Sequence, residues 1–315
     1  MVRENTFEEF TKKVTNAFEA YIGSDAHVMI QKVKKNNGIV LTGLSVFGNG
    51  KNISPTIYLE EFYRRYGEGE TFVRIMEEFI RCYENHLCDN NIDMAFYTKY
   101  EKVRNCLGIK IVNYEKNKEL LKEVPHKTYL NLAVLFYCAV ENLEIGSGII
   151  LIRENHLKMW NVNTETVYED AMKNAVWKYP AKIYPMPELL KEFPEALEWQ
   201  EEEGGIMKLE WEDYMDALPM YVLTNTQKIF GASVLMYDGV LKKVAGKLHS
   251  NLAVLPSSIH EVIAVPVQGM AEAAGYESMV REINETQLEA EDVLSDQVYY
   301  YERQSGKLML ARTNA

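Results

Sequence analysis

The sequence NLAVLPSSIHEVIAVP, residues 251–266, holds two apolar runs on either side of a short polar segment. The first run ends at Leu255, and the second begins at Val262 and alternates in the manner of a half-buried β-strand. The polar segment opens with Pro-Ser-Ser, a combination that is typical of turns. The stretch therefore predicts a β-hairpin and, with it, antiparallel pairing in the sheet to which the hairpin belongs.

The same segment carries residue types that hydrolases use. Ser257, Ser258, His260 and Glu261 lie within five residues of one another. A Ser–His pair requires the imidazole to face the hydroxyl and a third group to orient the imidazole, for which Glu261 or Asp238 is a candidate. The nucleophile elbow G-x-S-x-G is absent, and in known triads the groups come from separate segments. We therefore interpret the segment first as a turn whose hydroxyls and imidazole bind the backbone, with catalysis as the alternative.

The rest of the chain alternates between patterns of helices and of hairpins. The periodicity predicts helices over residues 6–21, 72–87, 164–177, 240–248 and 271–284, and a further helix that opens at Ser54-Pro55. It predicts strands over residues 27–33, 39–46, 130–140, 149–152, 220–225, 232–236 and 297–301. The regular strand–helix–strand order of a doubly wound sheet is missing. The sequence therefore predicts an α+β fold with mainly antiparallel sheets and interleaved helices.

The pattern changes near residue 124. We expect an N-terminal α+β domain over residues 1–123 and a C-terminal α+β domain over residues 124–315, with a single compact unit as the alternative. Residues 133–160 and 220–248 both read as strand, glycine turn, apolar strand and helix, so the C-terminal domain is expected to hold two hairpin–helix units. Chance similarity between common units is an equally good explanation of this echo.

The negative charge of the protein is concentrated in one segment. The chain has a formal net charge of −12, and the segment 186–216 holds eleven Asp and Glu residues against two Lys residues, a local net charge of −9. A nucleic-acid partner is not expected, because binding it requires a basic face. Leu, Phe and Trp residues interrupt the acidic run, which favours a contact surface for a protein partner. The candidate partner-binding residues are Glu198, Trp199, Glu201, Glu202, Glu203, Glu210 and Trp211.

One short segment contains residues that bind metals elsewhere. Cys82, His86 and Cys88 lie in one predicted helix, where residues 82 and 86 share a face and residue 88 is turned away from it. A zinc site usually has two close pairs of ligands, and the two remaining cysteines, Cys106 and Cys138, are isolated in the sequence. The short glycine pieces at 48–51 and 146–148 match neither a P-loop nor a dinucleotide fingerprint. We therefore expect neither a metal nor a cofactor.

The sequence also leads to an expectation about the cellular compartment of the protein. The N-terminal stretch MVRENTFEEFTKKV has no apolar signal-peptide core, and no run approaches the ~18–20 apolar residues of a membrane span. We expect a cytoplasmic protein with reduced thiols and no membrane partner.

Three long stretches resemble a known family. They are VKKNNGIVLTGLSVFGNGKNISPTIYLEEFYRRYGEGE (33–70), SVLMYDGVLKKVAGKLHSNLAVLPSSIHEVIAVP (233–266) and EINETQLEAEDVLSDQVYYY (282–301). Together they make the chain similar to the domain of unknown function 5688, an uncharacterised bacterial family, over nearly its whole length. The resemblance implies a bacterial cytoplasmic protein without an assigned activity, and it carries over no catalytic residues.

Three hypotheses on function follow. The first is a non-catalytic binding or regulatory protein that presents the acidic, Trp-flanked segment to a partner protein. The second is a hydrolase-like enzyme that uses Ser257 or Ser258 with His260. The third is a small-ligand sensor whose pocket is lined by the Tyr-rich strand Tyr299, Tyr300 and Tyr301. The sequence leaves the oligomeric state open.

Overall fold

The fold is α+β with antiparallel sheets, as predicted. The structure is a computed structural model, and it describes residues 6–24, 26–48, 54–86, 93–142, 146–186, 220–256 and 258–312. Three antiparallel sheets lie within these ranges. No helix in the described ranges is long and apolar enough to cross a membrane.

The chain divides into two compact units. The first unit comprises Met1–Lys99 with Ala139–Ile149, and the second comprises Tyr100–Cys138 with Ile150–Ala315. The expected boundary between residues 123 and 124 lies between two strands that pair in one sheet, from Leu107 opposite Cys138 to Asn113 opposite Leu132. Residues 100–123 therefore lie in the second unit.

The first unit packs helices on a three-stranded sheet. Its elements are α1 (Phe7–Ile22), β1 (Ala26–Lys34), β2 (Val40–Gly48), β3 (Thr56–Tyr58), α2 (Glu60–Gly67), α3 (Phe72–Asn85) and the short α4 (Met94–Tyr97). The helix α1 begins with a capping box, because the Thr6 hydroxyl accepts from the Glu9 amide and the Glu9 carboxylate accepts from the Thr6 amide. Its stripe of Phe10, Val14 and Phe18 is fully buried and packs in one core with residues of α3 such as Phe79.

The prediction that a helix opens at Ser54-Pro55 is wrong. Residues Thr56–Tyr58 form β3 against β2, and the helix begins at Glu60. The Ser54 hydroxyl accepts from the Val46 amide at 2.9 Å instead of capping a helix. The carboxylate of Glu60 accepts from the Thr42 amide at 2.6 Å, which fixes the start of α2 on the sheet.

Two further sheets lie in the second unit, except that residues 139–142 and 146–149 of the smaller sheet belong to the first unit. The smaller has β4 (Leu107–Asn113), β5 (His126–Tyr129), β6 (Leu132–Asn142) and β7 (Gly146–Leu151), in the order β4-β6-β5 with β7 paired to β6. The larger has β8 (Ala181–Pro185), β9 (Tyr221–Asn225), β10 (Asn251–Leu255), β11 (Val262–Val267), β12 (Tyr299–Glu302) and β13 (Lys307–Leu310), in the order β13-β12-β10-β11-β9-β8. The helices are α5 (Tyr100–Val103), α6 (Lys118–Leu121), α7 (Glu154–Trp160), α8 (Thr164–Lys178), α9 (Val240–Leu248), α10 (Met270–Ala274) and α11 (Glu277–Thr286).

Two predicted elements of this unit differ in the structure. Residues Gly231–Met236, expected to include a strand, form a short 3-10 helix. The expected helix over 271–284 is two helices, α10 and α11, with a break at Gly275-Tyr276. Residues 133–160 hold the paired strands β6 and β7, whereas residues 220–248 hold one strand and a 3-10 helix. The similarity in sequence pattern between these two stretches therefore does not correspond to a repeated architecture.

Candidate functional site

The stretch NLAVLPSSIHEVIAVP, residues 251–266, forms the predicted β-hairpin. Strands β10 and β11 pair from Asn251 opposite Val267 to Leu255 opposite Ile263, and the polar segment joins them. A second segment lies beside this turn, because the Ile259 amide donates to the Asp292 carbonyl at 2.9 Å and Ser258 forms a bridge with Val293. Polar groups from distant parts of the chain therefore meet at the hairpin turn.

The hydroxyl of Ser258 is committed to the turn itself. The side chain is buried, and its oxygen accepts a hydrogen bond from the His260 amide at 2.9 Å. The same side chain also lowers the pKa of the neighbouring Glu261 carboxyl group. This hydroxyl therefore closes the loop by its hydrogen bond with the His260 amide.

The imidazole of His260 has a neighbour at each nitrogen. Its Nδ1 accepts from the Phe230 amide at 3.3 Å, and its Nε2 lies 3.4 Å from Oδ1 of Asp292. Because Nδ1 accepts a hydrogen bond, the neutral ring carries its proton on Nε2, where it faces the carboxylate. The ring also stacks on Phe230, with centroids 5.8 Å apart and planes 13° apart. In this arrangement both nitrogens face groups other than a serine hydroxyl.

The backbone of the turn is held from strand β9. The hydroxyl of Thr224 donates to the His260 carbonyl at 2.8 Å. Gly231 lies against the same place, and a Cβ on it would be 2.0 Å from Oγ1 of Thr224 and 2.3 Å from the His260 oxygen. Phe230 precedes it in the left-handed conformation, with φ of 51°. The chain can therefore pass this close to the turn only with a glycine at position 231.

Burial raises the pKa of Glu261 above its usual range. The positive form of His260 and the Ser258 side chain oppose this shift, while the negative charge of Asp292 adds to it. The cluster thus combines a desolvated carboxyl group, an imidazole and a second carboxylate. Such a set could in principle carry out acid–base chemistry.

Cys82, in α3, and His86, directly after the end of this helix, are two of the three metal candidates and lie about one helical turn apart. Nδ1 of His86 is 2.7 Å from the carbonyl oxygen of Cys82 and 3.9 Å from its sulfur. Cys88 lies outside the described residues. Within the described part of the chain, no group of three His, Cys, Asp or Glu side chains is placed to hold a metal ion.

The acidic segment lies almost entirely outside the described residues. All seven candidate partner-binding residues, from Glu198 to Trp211, lie outside the described residues. Ser257, in the hairpin turn of the sequence, also lies outside them. The protein-binding hypothesis therefore continues to depend on the sequence.

The tyrosines at 299–301 have different environments. Tyr299 is fully buried, and its hydroxyl donates to Oδ1 of Asn131 at 2.6 Å. Tyr300 packs in an apolar core. Tyr301 lines a cleft of about 310 Å³ together with Asp238 and Lys242. Tyr301 therefore borders this cleft, although only about 5% of its surface is exposed.

Asp292 and Phe230 were not identified from the sequence as candidates. Each lies about 30 positions from His260, and neither belongs to a recognisable motif. The paired strands β9 and β11 and the 289–295 segment bring them together, so only the fold reveals the contact.

The fold and the site define an α+β protein with antiparallel sheets and a partly buried polar cluster at a hairpin turn. The model of a family of unknown function, DUF5688, matches residues 7–303, and the chain belongs to this family. The resemblance noted in the sequence is thereby confirmed. No curated protein and no solved structure matches the chain.

Proposed function

We propose that this protein is a non-catalytic binding protein that uses the acidic segment 186–216 to contact a partner protein. The observation that carries the proposal is the state of His260. A general base needs an imidazole nitrogen with its lone pair directed at the hydroxyl that it deprotonates. Here Nδ1 already accepts from the Phe230 amide, and the Ser258 hydroxyl accepts from the His260 amide. These contacts support a structural role for the polar cluster at the hairpin turn. They favour a binding function of the protein over a catalytic one.

The composition of the acidic segment indicates the partner's chemistry. A net charge of −9 over 31 residues favours a basic surface, and the interspersed Leu, Phe and Trp residues favour apolar pockets within it. Long-range attraction would speed association and would weaken as salt is added.

The test is crosslinking followed by capture from native lysate at two salt concentrations. The test variant reverses the charges of Glu198, Glu201, Glu202, Glu203 and Glu210. The matched control reverses five acids that are exposed in the structure, Glu8, Glu19, Glu77, Glu282 and Glu285. We expect the test variant to lose a partner that the control variant retains. Retention of every partner by the test variant contradicts the proposal.

The second candidate is a hydrolase-like enzyme centred on His260. One observation favours it: the imidazole is paired with Asp292 from a separate segment, and about a third of the His260 side chain is exposed. In this reading Asp292 replaces Glu261 and Asp238 as the orienting group. A panel of ester and peptide substrates should then be hydrolysed by the wild type and not by His260→Asn, while His249→Asn, which alters an exposed histidine, retains activity.

The third candidate is a small-ligand sensor. The cleft beside Tyr301 favours it, because Asp238 and Lys242 offer a carboxylate and an ammonium group next to aromatic surface. Thermal-shift measurements with a metabolite panel test this function, and Tyr301→Phe should reduce any shift that a ligand causes.

A further inference from the structure

Cys106 and Cys138 meet in the second unit although they are 32 positions apart in the sequence. Leu107 lies opposite Cys138 in the β4–β6 pair, so Cys106 is one position from the residue that faces Cys138. Cys106 ends a 3-10 helix directly before β4, so it lies beside the position opposite Cys138. The Cys106 thiol contributes to the raised pKa of Cys138, which agrees with this proximity. Cα atoms of disulfide-bonded residues lie about 4.4–6.8 Å apart.

The residues on either side of Cys106 are held by one face of α8. Oδ1 of Asp170 pairs with the guanidinium group of Arg104 at 2.9 Å. Nδ2 of Asn174 donates to the carbonyl oxygens of Arg104 at 2.6 Å and of Leu107 at 3.0 Å. One turn further along the helix, Nζ of Lys178 donates to the Asn105 carbonyl at 2.5 Å. Because the sheet fixes Cys138 and α8 fixes the segment 104–107, the thiols stay together without further ordering.

The two thiols differ in access to solvent. Cys106 is half-buried, while Cys138 is buried with about 1% of its surface exposed. Burial raises the pKa of Cys138 to about 12, and the nearby ammonium group of Lys178 opposes this shift. Cys106 is therefore the thiol that a small oxidant can reach, and Cys138 is the buried thiol next to it.

We propose that Cys106 and Cys138 form a reversible disulfide bond when the protein meets hydrogen peroxide. The thiolate of Cys106 attacks one peroxide oxygen, the O–O bond breaks and hydroxide leaves, which yields a sulfenic acid at Cys106. The sulfur of Cys138 then attacks the sulfenic sulfur, the S–O bond breaks, and the departing hydroxide takes up the Cys138 proton to form water. Each sulfur loses one electron and the peroxide gains two. A dithiol reductant reverses the reaction.

The experiment is peptide mapping of the whole protein after treatment with hydrogen peroxide and alkylation of the remaining thiols. We expect a crosslinked peptide pair that contains Cys106 and Cys138, lighter by two hydrogens than the separate peptides, and its disappearance after treatment with dithiothreitol. Cys82→Ser should leave the crosslink intact, and Cys106→Ser should abolish it. The wild-type map alone decides the result if a variant fails to fold.

Two results would overturn the proposal. The first is a treated protein in which Cys106 accumulates as sulfinic or sulfonic acid while Cys138 stays alkylatable, since an adjacent thiol should capture the sulfenic acid first. The second is a crosslink that pairs Cys82 or Cys88 with another cysteine while Cys106 and Cys138 remain reduced.

Discussion

The hydroxyl of Thr224 donates a hydrogen bond of 2.8 Å to the main-chain oxygen of His260. Leu223 lies opposite Val262 in the β9–β11 pair, so Thr224 stands where β11 leaves the hairpin turn. This bond joins the strand to the loop that carries Ser258 and His260. The turn is therefore fixed by the fold around it as well as by its own residues.

Thr224→Val tests this link. Valine keeps the shape of threonine and removes the donor, so the His260 carbonyl loses this partner in a partly buried setting. We expect the free energy of unfolding to fall by about 1–2 kcal/mol. The control is Thr286→Val, because the Thr286 hydroxyl donates to the Glu282 carbonyl at an exposed position of α11. Its effect should stay within about 0.5 kcal/mol in urea unfolding, and equal losses in both variants would contradict the prediction.

Gly231→Ala should be far more disruptive than a glycine replacement elsewhere. The new Cβ would overlap Thr224 and the His260 carbonyl, and the backbone oxygen has little room to move. We expect a loss of at least about 2 kcal/mol in stability. The matched change is Gly246→Ala in α9, where a Cβ meets nothing within 4 Å. That variant should gain about 0.5–1 kcal/mol, and urea unfolding of the two variants checks both signs.

Elements with long, regular patterns were predicted well from the sequence. The apolar stripe of α1, the limits of Val240–Leu248 and the 251–267 hairpin agree with the structure. The run at 232–236 was misread because a short apolar stretch has no period that separates strand from helix. The crowding at Gly231, which leaves no room for a Cβ, comes from Thr224 and the His260 carbonyl, both outside this run.

The candidate site could be predicted only in part. The spacing of Ser258 and His260 is visible in the sequence, and so is the turn between the strands. The direction of the imidazole is not, because it depends on the amide of Phe230 and the carboxylate of Asp292, each about 30 positions away. The same reason hid the pair of Cys106 and Cys138, which the sequence presents as two isolated cysteines.

Arg65 should matter more to the first unit than its neighbour Arg64. The Arg65 guanidinium group makes paired hydrogen bonds to Glu70 and to Glu78, which joins the α2 helix to α3. Arg64 contacts Glu61 and Glu68, which lie within one turn of it, and its side chain is more exposed. Lysine cannot reproduce paired planar bonds. We expect Arg65→Lys to lower the melting temperature more than Arg64→Lys does.

The effect of Arg65 should also depend on pH. The guanidinium group lowers the pKa of Glu70 and of Glu78 in the folded protein. Carboxyl groups whose folded-state pKa is depressed contribute stability above their unfolded pKa and lose it as the pH falls through the folded pKa. The difference in melting temperature between wild type and Arg65→Gln should therefore be largest near neutral pH and shrink below pH ~4.5. A difference that grows on acidification would show that these carboxylates are not the partners that matter.

Glu261→Gln should produce the opposite dependence on pH. Burial raises the pKa of Glu261, so the folded protein binds the carboxyl proton more tightly than the unfolded chain does. The folded state then holds more protons than the unfolded state between the two pKa values, and stability falls as the pH rises through that window. Glutamine is neutral at every pH, so it removes the cost of the buried charge. We expect Glu261→Gln to be more stable than wild type at neutral pH and to lose that advantage as the pH approaches the unfolded pKa of a glutamate.

Glu282→Gln, at an exposed position of α11, serves as the control and should follow the wild type throughout. Urea unfolding at a series of pH values measures the difference in free energy of unfolding between the variant and the wild type. If this difference is less favourable to Glu261→Gln at pH 7 than at pH 4, the ionised carboxylate stabilises the turn and the prediction is contradicted.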